Sequence, residues 1–202
     1  ETYPQVGCRL ISMYPEKVIF DVAGHRNIVA AELVRILEAQ AMQYHPTVVL
    51  NERVVSLRIL GERVIELATP AGNHYTQTVV IAAGCGAFVP RKLDVPGLID
   101  FEGNGIYYYL GSFEPLRGKR VLIVGGGNSA VDWALSLDGV ASEVTLCHRM
   151  YRWQAHEAMV HRLLSSGVRV KFPYFSLKEV LGEERVTGAV IWNERSGLEE
   201  RI

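Results

Sequence analysis

Apolar and polar positions follow two rhythms along this chain of 202 residues. Residues 28–43 place Ile28, Ala31, Leu33, Val34, Leu37 and Ala41 at helical spacing, which predicts a helix with one apolar face. Shorter runs predict strands at 18–20, 47–50, 54–60, 63–68 and 75–82, with turns at Tyr14-Pro15-Glu16-Lys17 and Ala71-Gly72-Asn73. Within the last of these, Thr78-Val79-Val80-Ile81-Ala82-Ala83-Gly84 is almost wholly apolar, the pattern of a strand covered on both faces. Residues 85–118 are rich in Gly, Pro and aromatics and read as a connector between two domains. Beyond it, a second unit is expected from about Lys119. Its pattern is a strand ending at Val124, an apolar helix from Ala130, a strand at 143–147, a helix at 154–165, a strand at 168–172 and a hairpin-like alternation near 185–193.

The chemistry concentrates where the first of those later strands meets its helix. Gly125-Gly126-Gly127-Asn128-Ser129-Ala130 fits G-x-G-x-x-A. Gly125 permits the tight turn, Gly127 lets a pyrophosphate approach the backbone, and Ala130 lets the helix pack close to the strand. The amides that open the helix, from Asn128 and Ser129 onward, lie at the positive end of its dipole and suit a diphosphate. An ordinary βα unit can carry a glycine turn. Here the preceding strand, the apolar helix and the second strand all stand where dinucleotide binding needs them.

The end of the second strand bears on which dinucleotide. An NAD site places Asp or Glu there to hold the ribose hydroxyls. This chain reads Leu146-Cys147-His148-Arg149, with Arg152 close behind and no acid. A guanidinium can pair with a 2′-phosphate where a carboxylate would repel it, so NADP(H) is favoured over NAD(H). The plain alternative is that Arg149 and Arg152 are solvated surface charges.

Composition narrows the class. Apolar residues make up 49 %, charged residues 21 %, and the formal net charge is −1, which gives no reason to propose nucleic acid or a membrane surface as partner. No apolar run is long enough to span a bilayer. Cys8, Cys85 and Cys147 are odd in number and far apart, so they make neither a C-x-x-C nor a zinc pattern, and a reducing cytoplasm is expected. His156 and His161 are five apart, one more than a metal-binding helix face needs, so no metal is expected. His156 and Glu157 are expected to cap or face the nucleotide unit. No Ser-His-Asp or paired-carboxylate arrangement emerges.

Taken in order, several stretches resemble the middle of the thioredoxin-reductase-like flavoproteins, and within them the ferredoxin–NADP⁺ reductase branch. They are Gly7-Cys8-Arg9-Leu10 with Tyr14-Pro15-Glu16-Lys17, Phe20-Asp21-Val22-Ala23-Gly24, Ile81-Ala82-Ala83-Gly84-Cys85-Gly86-Ala87-Phe88, Pro90-Arg91-Lys92-Leu93, Gly125 to Ala134, His148-Arg149 and Ala155-His156-Glu157. The resemblance covers nearly the whole chain. It implies an α/β fold with two Rossmann-like, three-layer dinucleotide-binding domains, both incomplete in this chain. Residues 1–112 would belong to an FAD domain and 113–202 to an NADP domain. The FAD glycine loop would lie upstream and a closing FAD segment downstream, so the chain is expected to be an internal segment of a longer protein.

The resemblance also carries over single residues. Glu1 is similar to the acid that grips the adenosine ribose of FAD. Tyr14 matches a flavin-contacting tyrosine, Val54 the position whose backbone meets the adenine, and Phe88 an aromatic beside the cofactor. Arg9 stands where the family usually has a Gln beside the flavin, which adds a charge. For Tyr14, Val54 and Phe88 ordinary packing remains the alternative. On the NADP side, Met150 and Gln154 replace two arginines of the family's pattern. Arg149 remains, Arg152 could substitute, and use of NADH stays open.

The implied function is transfer of electrons from NADPH through FAD to ferredoxin or flavodoxin, by a cytoplasmic enzyme typical of the family in being a homodimer. Thioredoxin reductase itself needs a C-x-x-C where this chain has Tyr108-Tyr109-Leu110-Gly111, and no sulfur stands there for dithiol exchange. The remaining alternatives are a related flavoprotein with another acceptor and a nucleotide-binding module without turnover.

Overall fold

The computed structural model describes residues 1–84 and 92–202, apart from the side chains of Cys8 and Arg9. Phe88 therefore lies outside the described residues. The rest divides into two compact units, one of residues 1–84 with Tyr109–Gly111, the other of residues 92–108 with Ser112–Ile202.

In the first unit, α1 (Cys8–Met13) leads through β1 (Val18–Ile19) and β2 (Ile28–Val29), an antiparallel ribbon, into α2 (Ala30–Met42). Of the apolar face read from the sequence, Leu33 and Val34 are buried on α2, together with Ala30, whereas Leu37 and Ala41 near its end are exposed. Gly7 is required where α1 begins. Its φ is +93°, and a Cβ there would lie 2.4 Å from a methyl of Val34. An antiparallel sheet follows, β3 (Ser56–Gly61), β4 (Val64–Thr69) and β5 (Gly72–Thr76), with β4 central. Its polar centre is Glu66, buried on β4. The carboxylate accepts from Arg58 Nε at 2.8 Å, Asn73 Nδ2 at 3.1 Å and the Tyr75 hydroxyl at 3.0 Å. These donors hold the Glu66 carboxyl below the usual range, the Arg58 guanidinium most strongly.

One expected strand does not form in this unit, and another forms only at its start. Residues 47–50 are irregular, and the strand expected at 75–82 is realised only at Tyr75 and Thr76, the end of β5; the remainder is irregular, with Val80 and Ile81 91 % and 79 % exposed. An all-apolar run signals a demand for cover, but a strand also needs a neighbour for its backbone groups. Among the described residues, neither run is laddered to a strand, and the bond that the Glu1 ammonium gives the Val49 carbonyl at 2.8 Å is no substitute for a ladder. The turn expected at 71–73 sits instead at Pro70-Ala71, and β5 correspondingly starts at Gly72. The Thr69 hydroxyl fixes that position by donating to the Gly72 carbonyl at 2.8 Å.

The second unit is built on a parallel sheet of β6 (Arg120–Val124), β7 (Glu143–Cys147) and β8 (Arg169–Lys171), in that order. Helix α3 (Asn128–Leu137) joins β6 to β7, and α4 (Glu157–Leu164) joins β7 to β8. Val131, Ala134 and Leu137 of α3 close a core with Val144, Leu146, Leu163 and Val168. An antiparallel meander, β9 (Phe175–Gly182), β10 (Val186–Asn193) and β11 (Glu199–Arg201), completes the unit. The hairpin expected near 185–193 is thus the middle of a larger meander. Part of the expected connector is core here: Leu98 and Phe101 are buried against Leu177, Val180 and Ala189. Strand β6 shows why its run is apolar on both faces. Val121 and Ile123 pack on the helical core, while Leu122 packs on the cluster under the meander.

Candidate nucleotide-binding site

The turn between β6 and α3 is held from both sides. Gly125 has φ +155° and donates its N–H to the Cys147 carbonyl at 3.0 Å. A Cβ on Gly125 would lie 3.0 Å from that of Ala130, so this turn and the first turn of α3 approach as closely as two small residues allow. Gly127 behaves differently. A Cβ there would meet nothing within 4 Å, so the space before it is open. No side chain caps α3, whose first hydrogen bond here runs from Val131 N–H to the Gly127 carbonyl at 3.2 Å. An open space against a glycine, at an uncapped N-terminus that includes Asn128, Ser129 and Ala130, fits a phosphate group.

The loop after β7 is fastened to this turn at both of its feet. It leaves at Cys147, which accepts from Gly125, and returns at Gln154, whose N–H donates to the Gly126 carbonyl at 2.9 Å. Two residues further, the His156 N–H donates to Asn128 Oδ1 at 2.8 Å, joining the starts of α3 and α4. His156 precedes α4 but its side chain does not cap it. The loop carries both candidate arginines. Arg149 and Arg152 are exposed, and the Arg152 guanidinium lies over the Tyr151 ring at 5.1 Å. The glycine turn and the two arginines are therefore one constellation.

Sequence reasoning passed over the groups that support this loop. His148 is buried, 4 % exposed, and stacks with Trp153 and Phe172, which also stack on each other with centroids 4.8 Å apart. A histidine ending an apolar strand, with Trp153 five residues on, was the available signal. Burial pushes the neighbouring Cys147 thiol up to about 12, so it stays protonated and unreactive.

Of the residues assigned to FAD, Glu1, Arg9, Tyr14 and Val54 lie in the first unit. Glu1 is exposed and its carboxylate accepts from the Tyr3 N–H at 3.1 Å. The Glu1 carbonyl accepts from Glu52 N–H at 2.9 Å, which sets Glu1 beside the stretch leading to the exposed Val54. Tyr14 follows α1 and has the Lys17 ammonium 5.6 Å from its ring centre. Arg9 lies within α1.

Comparison with known proteins gives the family and the fold. Residues 11–186 match the family described as pyridine nucleotide-disulphide oxidoreductase. The chain is 44 % identical over 197 residues to ferredoxin–NADP reductase 2 of Shouchella clausii, covering 98 % of this chain and 59 % of that protein. It is 39 % identical over 202 residues to the ferredoxin–NADP reductase of Geobacillus thermodenitrificans, covering all of this chain and 61 % of the relative. The chain thus spans about three fifths of the length of these relatives. Among solved structures, thioredoxin reductase of T. acidophilum superposes with a TM-score of 0.85 at 21 % identity, over 100 % of this chain and 64 % of that one. That of Lactococcus lactis superposes with a TM-score of 0.82 at 21 % identity, over 96 % and 62 %. The fold is the α/β, Rossmann-like one of those enzymes.

Proposed function

Because the chain belongs to the pyridine nucleotide-disulphide oxidoreductase family, we propose that it is the nucleotide-handling part of an FAD-dependent reductase that oxidises NADPH and passes electrons to ferredoxin or flavodoxin. The observation that carries the reading is the loop 148–153, pinned at both feet to the glycine turn. That arrangement supports a nucleotide whose pyrophosphate rests on Gly125, Gly127, Asn128, Ser129 and Ala130 while Arg149 and Arg152 meet its 2′-phosphate. The nearness of Glu1 to the stretch before Val54 supports an adenosine site for FAD in the first unit, with Arg9, Tyr14 and Phe88 on the flavin side. FAD, when bound, supplies the step from a two-electron hydride donor to a one-electron carrier. This chain's residues bind and orient. We assign the 1–112 portion to FAD and 113–202 to NADP, except that residues 92–108 pack within the second unit and go with the NADP portion, in a cytoplasmic homodimer.

The test is calorimetry of NADP⁺ and NAD⁺ on the chain and on Arg149→Ala. The proposal expects tighter binding of NADP⁺ and a preference reduced about tenfold in the variant, the scale of one lost charge-assisted pair. Equal affinities, unchanged in Arg149→Ala, would remove the NADP assignment. For the whole protein, a flavin spectrum and NADPH oxidation that depends on added ferredoxin or flavodoxin are expected. Flavin reduction without transfer to either carrier would refute the acceptor.

A further inference from the structure

Resting on the nucleotide reading above, we propose that His148 is a positioning residue that sets the preference for NADP(H) by closing the turn that carries Arg152, without touching the nucleotide. Its Nε2 lies 3.0 Å from the Arg152 carbonyl oxygen. A carbonyl only accepts, so Nε2 carries the proton and donates. The ring is fixed on every other side. Trp153 and Phe172 stack with it at centroid distances of 5.3 and 5.9 Å. Gly126 lies so close to it that a Cβ there would come within 2.3 Å of Cγ, Nδ1 and Cε1. The main chain is held as well: His148 N–H donates to the Lys171 carbonyl at 3.0 Å, and the His148 carbonyl accepts from Phe175 N–H at 3.2 Å.

The two arginines are thus anchored in different ways. Arg149 is held by its own backbone, whose carbonyl accepts from Tyr174 N–H at 3.2 Å. Arg152 takes its anchor from the His148 ring. Because that ring also lies against Gly126, one side chain ties the place of Arg152 to the turn assigned to the pyrophosphate. Losing the Nε2 proton donor frees the Arg152 backbone while the glycine turn keeps its bonds to Cys147 and Gln154. The 2′-phosphate contact weakens and the pyrophosphate contact does not.

Two substitutions separate the hydrogen bond from the stack. His148→Phe keeps an aromatic ring against Trp153 and Phe172 and has no donor. His148→Gln keeps an amide N–H near the position of Nε2 and gives up the ring. Binding of NADP⁺ and NAD⁺, followed by tryptophan fluorescence, is the readout. In His148→Phe the NADP⁺ to NAD⁺ affinity ratio is expected to fall about fivefold, the scale of one buried hydrogen bond, with NAD⁺ within about twofold of wild type. His148→Gln restores the ratio. In an Arg152→Ala background, His148→Phe produces no further fall. Should His148→Phe lack a cooperative thermal transition, His148→Asn, whose amide is too short to reach Arg152, takes its place. The proposal is overturned if the ratio survives loss of the donor, if both nucleotides weaken equally, or if Gln lowers the ratio more than Phe. A wild-type chain with no preference for NADP⁺ overturns the nucleotide reading itself, and this inference with it.

Discussion

The runs at 79–83 and 121–124 are alike in character and opposite in outcome. Both are short, apolar and followed by glycine. The second is a strand, laddered to β7 and covered on one side by the helical core and on the other by the cluster under the meander. The first is irregular and lies open to solvent. An apolar run states how much cover it needs and nothing about what provides it. Within the second unit the next residues cover one face, as a βαβ arrangement does, and the distant meander covers the other. In the first unit the described residues supply none, and β3 too is exposed along its whole length, with Ile59 at 75 %. The two units therefore differ in how far their apolar residues contribute to stability.

Truncation of core residues tests that difference most severely. Leu146→Ala or Leu163→Ala removes a side chain with no exposed surface and is expected to cost roughly 2–5 kcal/mol in chemical unfolding of the second unit. Ile59→Ala or Ile81→Ser removes a side chain that is already in water and is expected to change stability by less than about 0.5 kcal/mol. A similar loss at both kinds of site would mean that the first unit's apolar surface is covered in solution, and the contrast would collapse.

How much was legible follows the same division. Where one element supplies its own periodicity or the next element supplies its cover, the pattern was sufficient: 30–42 of the expected 28–43 became α2, its first two residues forming β2, 143–147 became β7, and Gly125 with Ala130 lies at the close approach that their small size suggested. The second unit's parallel sheet and the family came from the same residues. What escaped was set by contacts distant in sequence. Leu98 and Phe101 look like connector until Leu177 and Val180 arrive to bury them. Arg149 and Arg152 could be named from the sequence, whereas the His148, Trp153 and Phe172 stack behind them depends on β7 and β8 lying side by side.

Adjacent glycines sharpen the comparison inside the site. Gly126→Ala drives a methyl into the His148 ring, and the backbone cannot give way without breaking the bond from Gln154. It is expected to lower stability by about 1–3 kcal/mol, as overpacking does. Gly127→Ala meets open space, so stability should stay within about 0.5 kcal/mol. Its effect falls on the ligand instead, with NADP⁺ affinity reduced about tenfold or more where the methyl occupies the phosphate's approach. Thermal unfolding and calorimetry on the two variants separate a glycine that the fold requires from one that the nucleotide requires. Equal unfolding losses with equal affinities would erase that distinction.

The smallest expected effect belongs to the buried polar centre of the first unit's antiparallel sheet. Donation from Arg58, then Tyr75, with help from Asn73, holds the Glu66 carboxyl below its ordinary value of 4.5. A carboxyl lowered in the folded state is ionised there while its unfolded counterpart still binds a proton. Its stabilisation is therefore fully present above the ordinary value and is lost as pH falls through the lowered one. Acid should weaken this sheet only below about pH 4.5 on account of Glu66, because above that both states carry the charge. Glu66→Gln removes the titration and leaves Arg58 without its carboxylate. The variant should be less stable than wild type at neutral pH, and the gap should close as pH is lowered. Unfolding followed by β-sheet circular dichroism between pH 7 and 3 checks this. A gap that widens in acid would mean that the Glu66 carboxyl is raised rather than lowered in the fold, and that its donors do not outweigh its burial.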